Sequence, residues 1–318
     1  MENGAIGHRR QVEWPARIIN DLKTLPSAPT WALLAGASLW GVVWYPYRLL
    51  AQAGLDGLWS TLLTYGLALV AGVLAFPRAA ASIGRPSPLV ILMGLAIGWS
   101  NLAYVMGILE GEVMRVLLLF YLAPLWTVPI ARIVLGERLD ARGFGVMALA
   151  FAGAVIMLWR PEAGYPWPVS HAEWLGVVAG FLFALGNVLV RRIQYLGDAA
   201  KSIVIWFGVT LAAAIHLPAS RMDLQGAWNV ALANAGWVTG IGAALLGMSL
   251  ALQYGLSRMP ANRAIVILLF ELVVAAFAAH LLAGEVPRLQ DWIGGGFIVA
   301  ASLASALIGA PRERPTAA

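Results

Sequence analysis

A few polar and aromatic side chains stand inside long apolar runs of this sequence, where such residues are unusual. Trp40 and Trp44 are four residues apart and therefore share one face of a helix. Indole rings can stack on an aromatic solute or hold an ammonium group by cation–π attraction worth about 0.5–2 kcal/mol. Trp99 also lies well inside its run. These rings point to binding of a small amphipathic solute, with helix packing and lipid contact as the alternative.

Polar groups occur at similar depth in three other runs. Asn101 and Tyr104 are three apart on one face, and Asn187 lies in the middle of its run. Side chains of this kind turn away from lipid toward protein or a wet cavity. The alternative is a hydrogen bond between helices, worth about 0.6 kcal/mol. The predicted cavity residues are Trp40, Trp44, Trp99, Asn101, Tyr104, Tyr121, Asn187, Ser249, Gln253 and Glu271.

Glu271 is the acidic residue placed centrally in an apolar run. A charge at the centre of a membrane helix costs about 2.5–3.5 kcal/mol, so this carboxyl must face a polar interior, find a partner or stay protonated. We consider two roles for it, binding a substrate ammonium group and relaying a proton, beside a purely structural hydrogen bond. Pro124 and Pro129 interrupt another run and predict a hinge there, or else a static kink.

The residues that most enzymes and metal sites require are missing from the sequence. The chain has no cysteine, and its four histidines have no metal-ligand spacing. It also lacks a Walker A sequence, a His-Glu-x-x-His motif and a Gly-x-Ser-x-Gly motif. We therefore predict no enzyme activity, no cofactor and no metal site.

The composition of the 318 residues is that of a membrane protein: 60% are hydrophobic and 12% charged, against about 45–50% and about 25% in soluble domains. A membrane-spanning helix needs about 20 apolar residues, and the runs lack the period-two alternation of strands. We predict an all-α polytopic protein with ten transmembrane helices. The runs are 29–51, 58–76, 88–109, 113–133, 143–159, 172–190, 201–217, 233–257, 263–282 and 291–309.

The positive charges are distributed unevenly among the connections between these runs. The N-terminal arm, the C-terminal tail and the even-to-odd connections hold 16 of the 21 Lys and Arg residues, and the other side holds five. Because cytoplasmic loops collect positive charge, both termini are predicted to be cytoplasmic. The net charge of +5 then reflects membrane topology, and the predicted partners are membrane lipids and a small-molecule substrate, with no nucleic acid.

The sequence also contains an internal repeat. IARIVLGERL at 130–139 and AAHLLAGEVP at 278–287 both end an apolar run with Gly-Glu, at an offset of 148 residues. The same offset pairs Gly107 with Gly255, and an offset of 143 places the first run on the sixth. A five-helix repeat has an odd number of spans, so the second copy must cross the membrane in the opposite direction. The predicted parts are an arm at 1–28, repeats at 29–159 and 172–309, and a tail at 310–318.

The ten spans, the duplicated five-helix unit and the GERL and GEV endings resemble the drug/metabolite transporter superfamily, EamA type. Within it, the Trp- and Tyr-rich first, third and fourth spans are similar to aromatic amino-acid exporters of the YddG type. The resemblance implies a multi-pass protein of the cytoplasmic membrane with a central cavity lined by spans 1, 3, 4, 6, 8 and 9. It also implies that spans 5 and 10 lie at the periphery and pack the halves together.

The function that follows is export of small amphipathic solutes by alternating access, with aromatic and other neutral amino acids expected first. A broad exporter of drugs, organic cations or other metabolites is the alternative, because the same aromatic lining would serve it. A scaffold or an enzyme of lipid metabolism belongs to a different class. The repeat argues against that class, since paired half-transporters have little reason to persist without alternating access.

Overall fold

The computed structural model describes residues 27–110, 116, 119–159, 168–220, 222–283 and 288–307. Within these ranges the regular structure is helical and contains no strand. The helices are α1 (Ala28–Gln52), α2 (Gly57–Ala75), α3 (Pro77–Ile83), α4 (Pro88–Glu110), α5 (Ala123–Leu135), α6 (Ala141–Leu158), α7 (His171–Arg192), α8 (Asp198–His216), α9 (Leu224–Ala233), α10 (Ala235–Arg258), α11 (Ala261–Leu268), α12 (Phe270–Ala283) and α13 (Leu289–Leu307).

The predicted all-helical class is confirmed for this part of the chain. Six stretches are long and apolar enough to cross a bilayer, namely Gly57–Ala75, Pro88–Gly107, His171–Arg192, Asp198–Ala219, Ala235–Arg258 and Ala261–Leu282. Shorter apolar helices occupy Ala123–Leu135, Ala141–Ile156 and Trp292–Ala304. The protein is therefore a multi-pass membrane protein, and the count of ten spans stays a prediction. The predicted arm falls almost wholly outside the described residues, and the predicted tail does so completely.

Two of the predicted runs are not single regular helices. In the run 113–133 the backbone makes a turn at Tyr121 and Leu122, and α5 begins only at Ala123. The run 263–282 is divided at Leu269 between α11 and α12. The first interruption lies next to Pro124, and the predicted hinge there stays a prediction. The second has no proline or glycine nearby, and the sequence analysis missed it.

Side-chain caps fix where several of the helices begin. The carboxylates of Asp56, Asp140 and Asp223 accept hydrogen bonds from backbone N–H groups three residues further on, at 2.8–3.0 Å. Each of these bonds satisfies a donor that the first turn of a helix leaves free. The short helices α3 and α9 lie in two connections that the sequence analysis treated as irregular.

The packing of the helices crosses between the two halves of the chain. In the first half, α4 packs along α7 and α8, and in the second half α10 packs along α1 and α2. The repeat relates α4 to α10, α7 to α1 and α8 to α2, so the two sets of contacts are equivalent. The helices of spans 5 and 10, α6 and α13, pack against each other. Each half therefore completes its packing with helices of the other half.

Two glycine contacts reproduce the offsets of the sequence repeat. A Cβ atom on Gly107 would lie 3.1 Å from the carbonyl oxygen of Ala172, and one on Gly255 would lie 2.9 Å from that of Pro29. The glycines are 148 residues apart and the carbonyl groups 143, which are the two offsets found in the sequence. These contacts support the repeat, while its inverted orientation in the bilayer stays a prediction.

The close approach of α4 and α8 predicts the effect of adding one methyl group. Gly208→Ala is expected to lower the midpoint of thermal unfolding, because its Cβ would overlap the carbonyl oxygen of Gly94. Overpacking of this kind costs about 1–3 kcal/mol. Intrinsic tryptophan fluorescence of the protein in detergent micelles measures the midpoint.

Gly240→Ala is the matched control, because no described atom lies within 4 Å of a Cβ placed there. This substitution should leave the midpoint unchanged or raise it, since alanine favours a helix over glycine by about 1 kcal/mol. Equal losses in the two variants would contradict the contact between α4 and α8.

Candidate functional site

The two irregular points of the backbone lie at equivalent positions of the repeat. Leu269 is 148 residues after Tyr121. At the first point the N–H of Leu125 donates to the carbonyl oxygen of Leu122 at 2.9 Å, and at the second the N–H of Leu272 donates to that of Leu269 at 3.0 Å. Both are the tight bonds of a helix that changes its winding. Discontinuous helices of this kind form the substrate sites of many secondary transporters.

A small cavity lies between these two points. Three pairs of its lining residues are 148 positions apart: Phe120 and Leu268, Tyr121 and Leu269, and Ala123 and Glu271. The remaining lining residues are Pro124, Phe183 and Ile265. The cavity is therefore shared about equally by the two halves. Its walls come from the predicted spans 4, 6 and 9, which are three of the six spans expected to line a central cavity.

The space inside this cavity is about 10 Å³, measured as the volume open to the centre of a water molecule. That volume holds about one water molecule. An amino acid does not fit, so the walls must separate before a solute of that size can enter. The cavity as it stands is too small for such a solute.

Glu271 and Tyr121 form the polar contact of this cavity. The hydroxyl group of Tyr121 donates to Oε1 of Glu271 at 3.0 Å, and Tyr121 is buried while Glu271 is partly buried. The bond joins the first turn of α12 to the segment just before α5. Ala123 occupies the position equivalent to Glu271 in the first half, so the pseudo-symmetric cavity carries one carboxyl group.

A cluster of aromatic rings adjoins this hydrogen bond. The ring centroid of Phe120 lies 5.2 Å from that of Tyr104 and 5.3 Å from that of Phe183, both in tilted arrangements. Tyr121 meets Phe120 edge-on at 5.2 Å. Tilted and edge-on pairs of this kind are the favoured aromatic geometries. Phe120 and Phe183 were not in the predicted set, although the offset of 143 pairs Phe183 with Trp40.

Glycines in the first helix of each half let that helix pack closely against the irregular helix of the other half. A Cβ on Gly41 of α1 would lie 2.7 Å from the carbonyl oxygen of Glu271, and one on Gly180 of α7 would overlap that of Phe120. Each contact joins a first-helix glycine of one half to the irregular segment of the other. The walls of the cavity are thus set by backbone contacts as well as by side chains.

Two predicted polar residues have partners within the helix packing. Oδ1 of Asn101 accepts from the hydroxyl group of Tyr65 at 3.1 Å, and Oγ of Ser249 accepts from Nε1 of Trp206 at 3.0 Å. Both contacts are hydrogen bonds between helices, which was the alternative stated for such residues. They hold α2 to α4 and α8 to α10.

The predicted tryptophans are not part of the wall of this cavity. Trp99 meets His216 edge-on at 6.3 Å, Trp44 meets its neighbour Tyr45 edge-on at 5.6 Å, and Trp40 packs partly buried against the core. Of the predicted set, the structure brings Tyr121, Glu271 and Pro124 together, with Tyr104 behind them. Pro129 lies within α5 and is exposed.

Asn187 and Gln253 are different from the other predicted polar residues. Each is 5% exposed, and Nδ2 of Asn187 and Oε1 of Gln253 have no hydrogen-bond partner in the part of the protein that the structure describes. A buried polar group without a partner is rare and costly, so such a group calls for a reason. Both stay candidates for contact with a solute or with bound water.

Residues 171–307 match the model of the EamA-like transporter family. An uncharacterized transporter of Archaeoglobus fulgidus is 27% identical over 249 residues, which cover 77% of this chain and 86% of that protein. A riboflavin transporter of Rhizobium johnstonii is 24% identical over 210 residues, and the match covers 63% of this chain and 64% of that relative.

A crystal structure of another protein has a TM-score of 0.68 with this chain at 18% identity, covering 89% of this chain and 99% of that one. This likeness shows a shared fold. The expected resemblance to an EamA-type transporter rests on the family match over residues 171–307 and on the two transporter relatives.

The bond between Tyr121 and Glu271 can be tested by a double-mutant cycle. Tyr121→Phe should lower stability by about 1–3 kcal/mol, because it leaves a poorly solvated carboxyl group without its donor. In a Glu271→Leu background the same substitution should cost clearly less, since leucine offers no acceptor for the hydroxyl group. Thermal or denaturant unfolding in detergent, followed by tryptophan fluorescence, measures the four variants.

Tyr65→Phe combined with Glu271→Leu is the control pair, because Tyr65 bonds to Asn101 instead of Glu271. The effects of that pair should add. Additive effects for Tyr121 and Glu271 as well would contradict the hydrogen bond between them.

Proposed function

We propose that this protein is an EamA-family exporter of the cytoplasmic membrane that carries small amphipathic solutes, with aromatic and other neutral amino acids as the main substrates. The observation that supports this most is the cavity at the two irregular helices, which is lined by aromatic rings and by a single carboxyl group. An amino acid with an apolar side chain presents the same two features, a hydrophobic body and an ammonium group.

The residues of the cavity suggest how such a solute is recognised. The rings of Phe120, Phe183 and Tyr104 offer a surface on which an aromatic side chain can stack. The carboxyl group of Glu271 offers an acceptor for the ammonium group. The hydroxyl group of Tyr121 occupies one oxygen of Glu271 in the narrow cavity, so a bound ammonium group would compete with Tyr121 for it.

The packing between the halves suggests how the solute moves. Inverted repeats allow one half to rock against the other around a site near the middle of the membrane, which opens each side in turn. The narrow cavity, which has room for about one water molecule, fits a state of such a cycle in which no solute is bound. Pro124, at the start of α5 and in the cavity wall, is placed to act as the predicted hinge.

A larger aromatic metabolite is the second candidate substrate, because one relative is named as a riboflavin transporter. The isoalloxazine ring of riboflavin would use the aromatic wall but has no ammonium group to bind Glu271. Organic cations would use both features. The dependence on Glu271 therefore separates riboflavin from the cationic and amino-acid solutes, and competition between amino acids and a quaternary ammonium ion separates the latter two.

Reconstituted proteoliposomes test the function directly. We expect saturable uptake of labelled phenylalanine that unlabelled tryptophan or leucine reduces and riboflavin or a quaternary ammonium ion does not. Phe183→Ala should reduce phenylalanine flux more than leucine flux, because stacking on the aromatic wall is lost. Empty liposomes and the Gly240→Ala variant serve as controls. Flux of riboflavin with no amino-acid flux would favour the second candidate, and absence of flux for every solute would contradict a transporter of this class.

Glu271→Gln tests the role of the carboxyl group. If Glu271 binds the ammonium group, the variant should raise the KM for phenylalanine at every pH about tenfold, the effect of losing about 1.4 kcal/mol of binding. If Glu271 instead relays protons, the variant should abolish the response of flux to a pH gradient. Normal export with an unchanged pH response would contradict both roles.

A further inference from the structure

The Gly-Glu motif that ends α5 reaches across to the other half of the chain. Gly136 follows α5 with a left-handed backbone, φ +70°, which turns the chain there. Oε1 of Glu137 then accepts from the backbone N–H of Ala261 at 3.2 Å, and Oε2 accepts from Nδ2 of Asn262 at 3.4 Å. Ala261 and Asn262 are the first two residues of α11.

Glu137 supplies a cap that α11 lacks in its own sequence. The residue before α11 is Pro260, whose side chain has no hydrogen-bonding group. A carboxylate at a helix N-terminus satisfies a free N–H group and interacts favourably with the helix dipole. Burial raises the pKa of Glu137, while the hydrogen bonds from Ala261 and Asn262 and the positive charge of Arg191 act in the opposite direction.

A compact apolar contact lies beside this cap. Ala131 of α5, Val188 of α7 and Ala261 of α11 pack together and are 0%, 0% and 3% exposed. We call these three residues the inner seal, because the charge distribution places their ends of the helices on the cytoplasmic side. The same three helices also line the cavity, through Pro124 of α5, Phe183 of α7 and Ile265 of α11. The inner seal therefore stands between the cavity and the cytoplasm.

We infer that Glu137 is a positioning residue for transport: by capping α11 from the other half, it holds the inner seal closed. The inference rests on the proposed alternating access. When the cytoplasmic side opens, α5 and α11 separate, and Glu137 must leave the N-terminus of α11. The cap thus stabilises one access state against the other without contacting the solute.

Asp140 provides a matched comparison three residues further along the chain. Its carboxylate accepts from the N–H of Gly143 at 2.8 Å and caps α6 within the same half. Removal of either carboxylate uncaps one helix. Of the two removals, only that of Glu137 also breaks a contact between the halves.

A single-cysteine reporter tests the inference, since the natural chain has no cysteine. Val188→Cys places a smaller thiol in the inner seal, and a membrane-impermeant maleimide applied to inside-out vesicles reports its exposure to the cytoplasmic side. Adding Glu137→Ala should speed labelling about fivefold, the equivalent of about 1 kcal/mol for a lost cap. Glu137→Gln should lie between Glu137→Ala and the parent. Asp140→Ala should leave the rate unchanged.

A second reporter cysteine is the control for general unfolding. Ser100 lies between α4 and α7, and its side chain is 2% exposed. The thiol of Ser100→Cys should therefore react slowly with the maleimide in every background. Equal labelling of the Val188→Cys parent and its Glu137→Ala variant would overturn the inference. So would faster labelling of Ser100→Cys, or an equal effect of Asp140→Ala.

These measurements do not depend on transport, so the two proposals fail separately. Slow labelling in all variants together with amino-acid flux would overturn the role of Glu137 alone. The expected labelling pattern with no flux of any solute would contradict the proposed function but leave the cap as the contact that closes the seal.

Discussion

The architecture depends on contacts between glycines of one helix and backbone carbonyl groups of another. Lipid tails are as apolar as leucine side chains, so helices in a membrane gain little by hiding apolar surface from each other and associate through close packing instead. Gly208 against Gly94, Gly107 against Ala172 and Gly255 against Pro29 let backbones approach to the distance at which Cα–H groups meet carbonyl oxygens. Two of these contacts join the halves at equivalent positions, and together they interlock the halves instead of leaving two separate bundles.

The interlocked packing explains where the cavity lies, while the two halves supply different side chains to its lining. Because the first helix of each half touches the irregular helix of the other, the two irregular points face each other across the boundary between the halves. Each half therefore contributes a similar backbone segment to the cavity. The side chains do not follow the repeat: Ala123 stands where the second half has Glu271, and Phe120 and Tyr121 stand where it has Leu268 and Leu269. The aromatic rings of the lining come from both halves, through Phe120, Tyr121 and Phe183, whereas the carboxyl group comes from the second half alone.

The sequence predicted the helical class, the offsets of the repeat and the interruption near Pro124, because periodicity, glycine spacing and proline are local signals. The change of winding at Leu269 has no such local signal, because no proline or glycine lies near it. Hydrogen-bond partners were also beyond reach: Asn101 and Ser249 looked like Asn187 and Gln253, yet the first two meet Tyr65 and Trp206 while the others keep an unpaired atom. Which polar group finds a partner depends on which helices touch. Phe183 was within reach through its pairing with Trp40.

The strength of the closing contacts matters as much as their position. Moving a two-state equilibrium from 1:99 to 99:1 takes about 5.5 kcal/mol, so a transporter that must visit both access states cannot close either side with a large apolar interface. The buried residues of the inner seal are two alanines and one valine, with Ile130, Val134 and Leu135 packed against them, and a cap such as that from Glu137 is worth about 1 kcal/mol. In the proposed cycle the cap biases the equilibrium toward closure by an amount that binding of a small solute can reverse. A carboxylate on a helix N-terminus suits this purpose, because separation of α5 from α11 exchanges its hydrogen bonds for bonds to water.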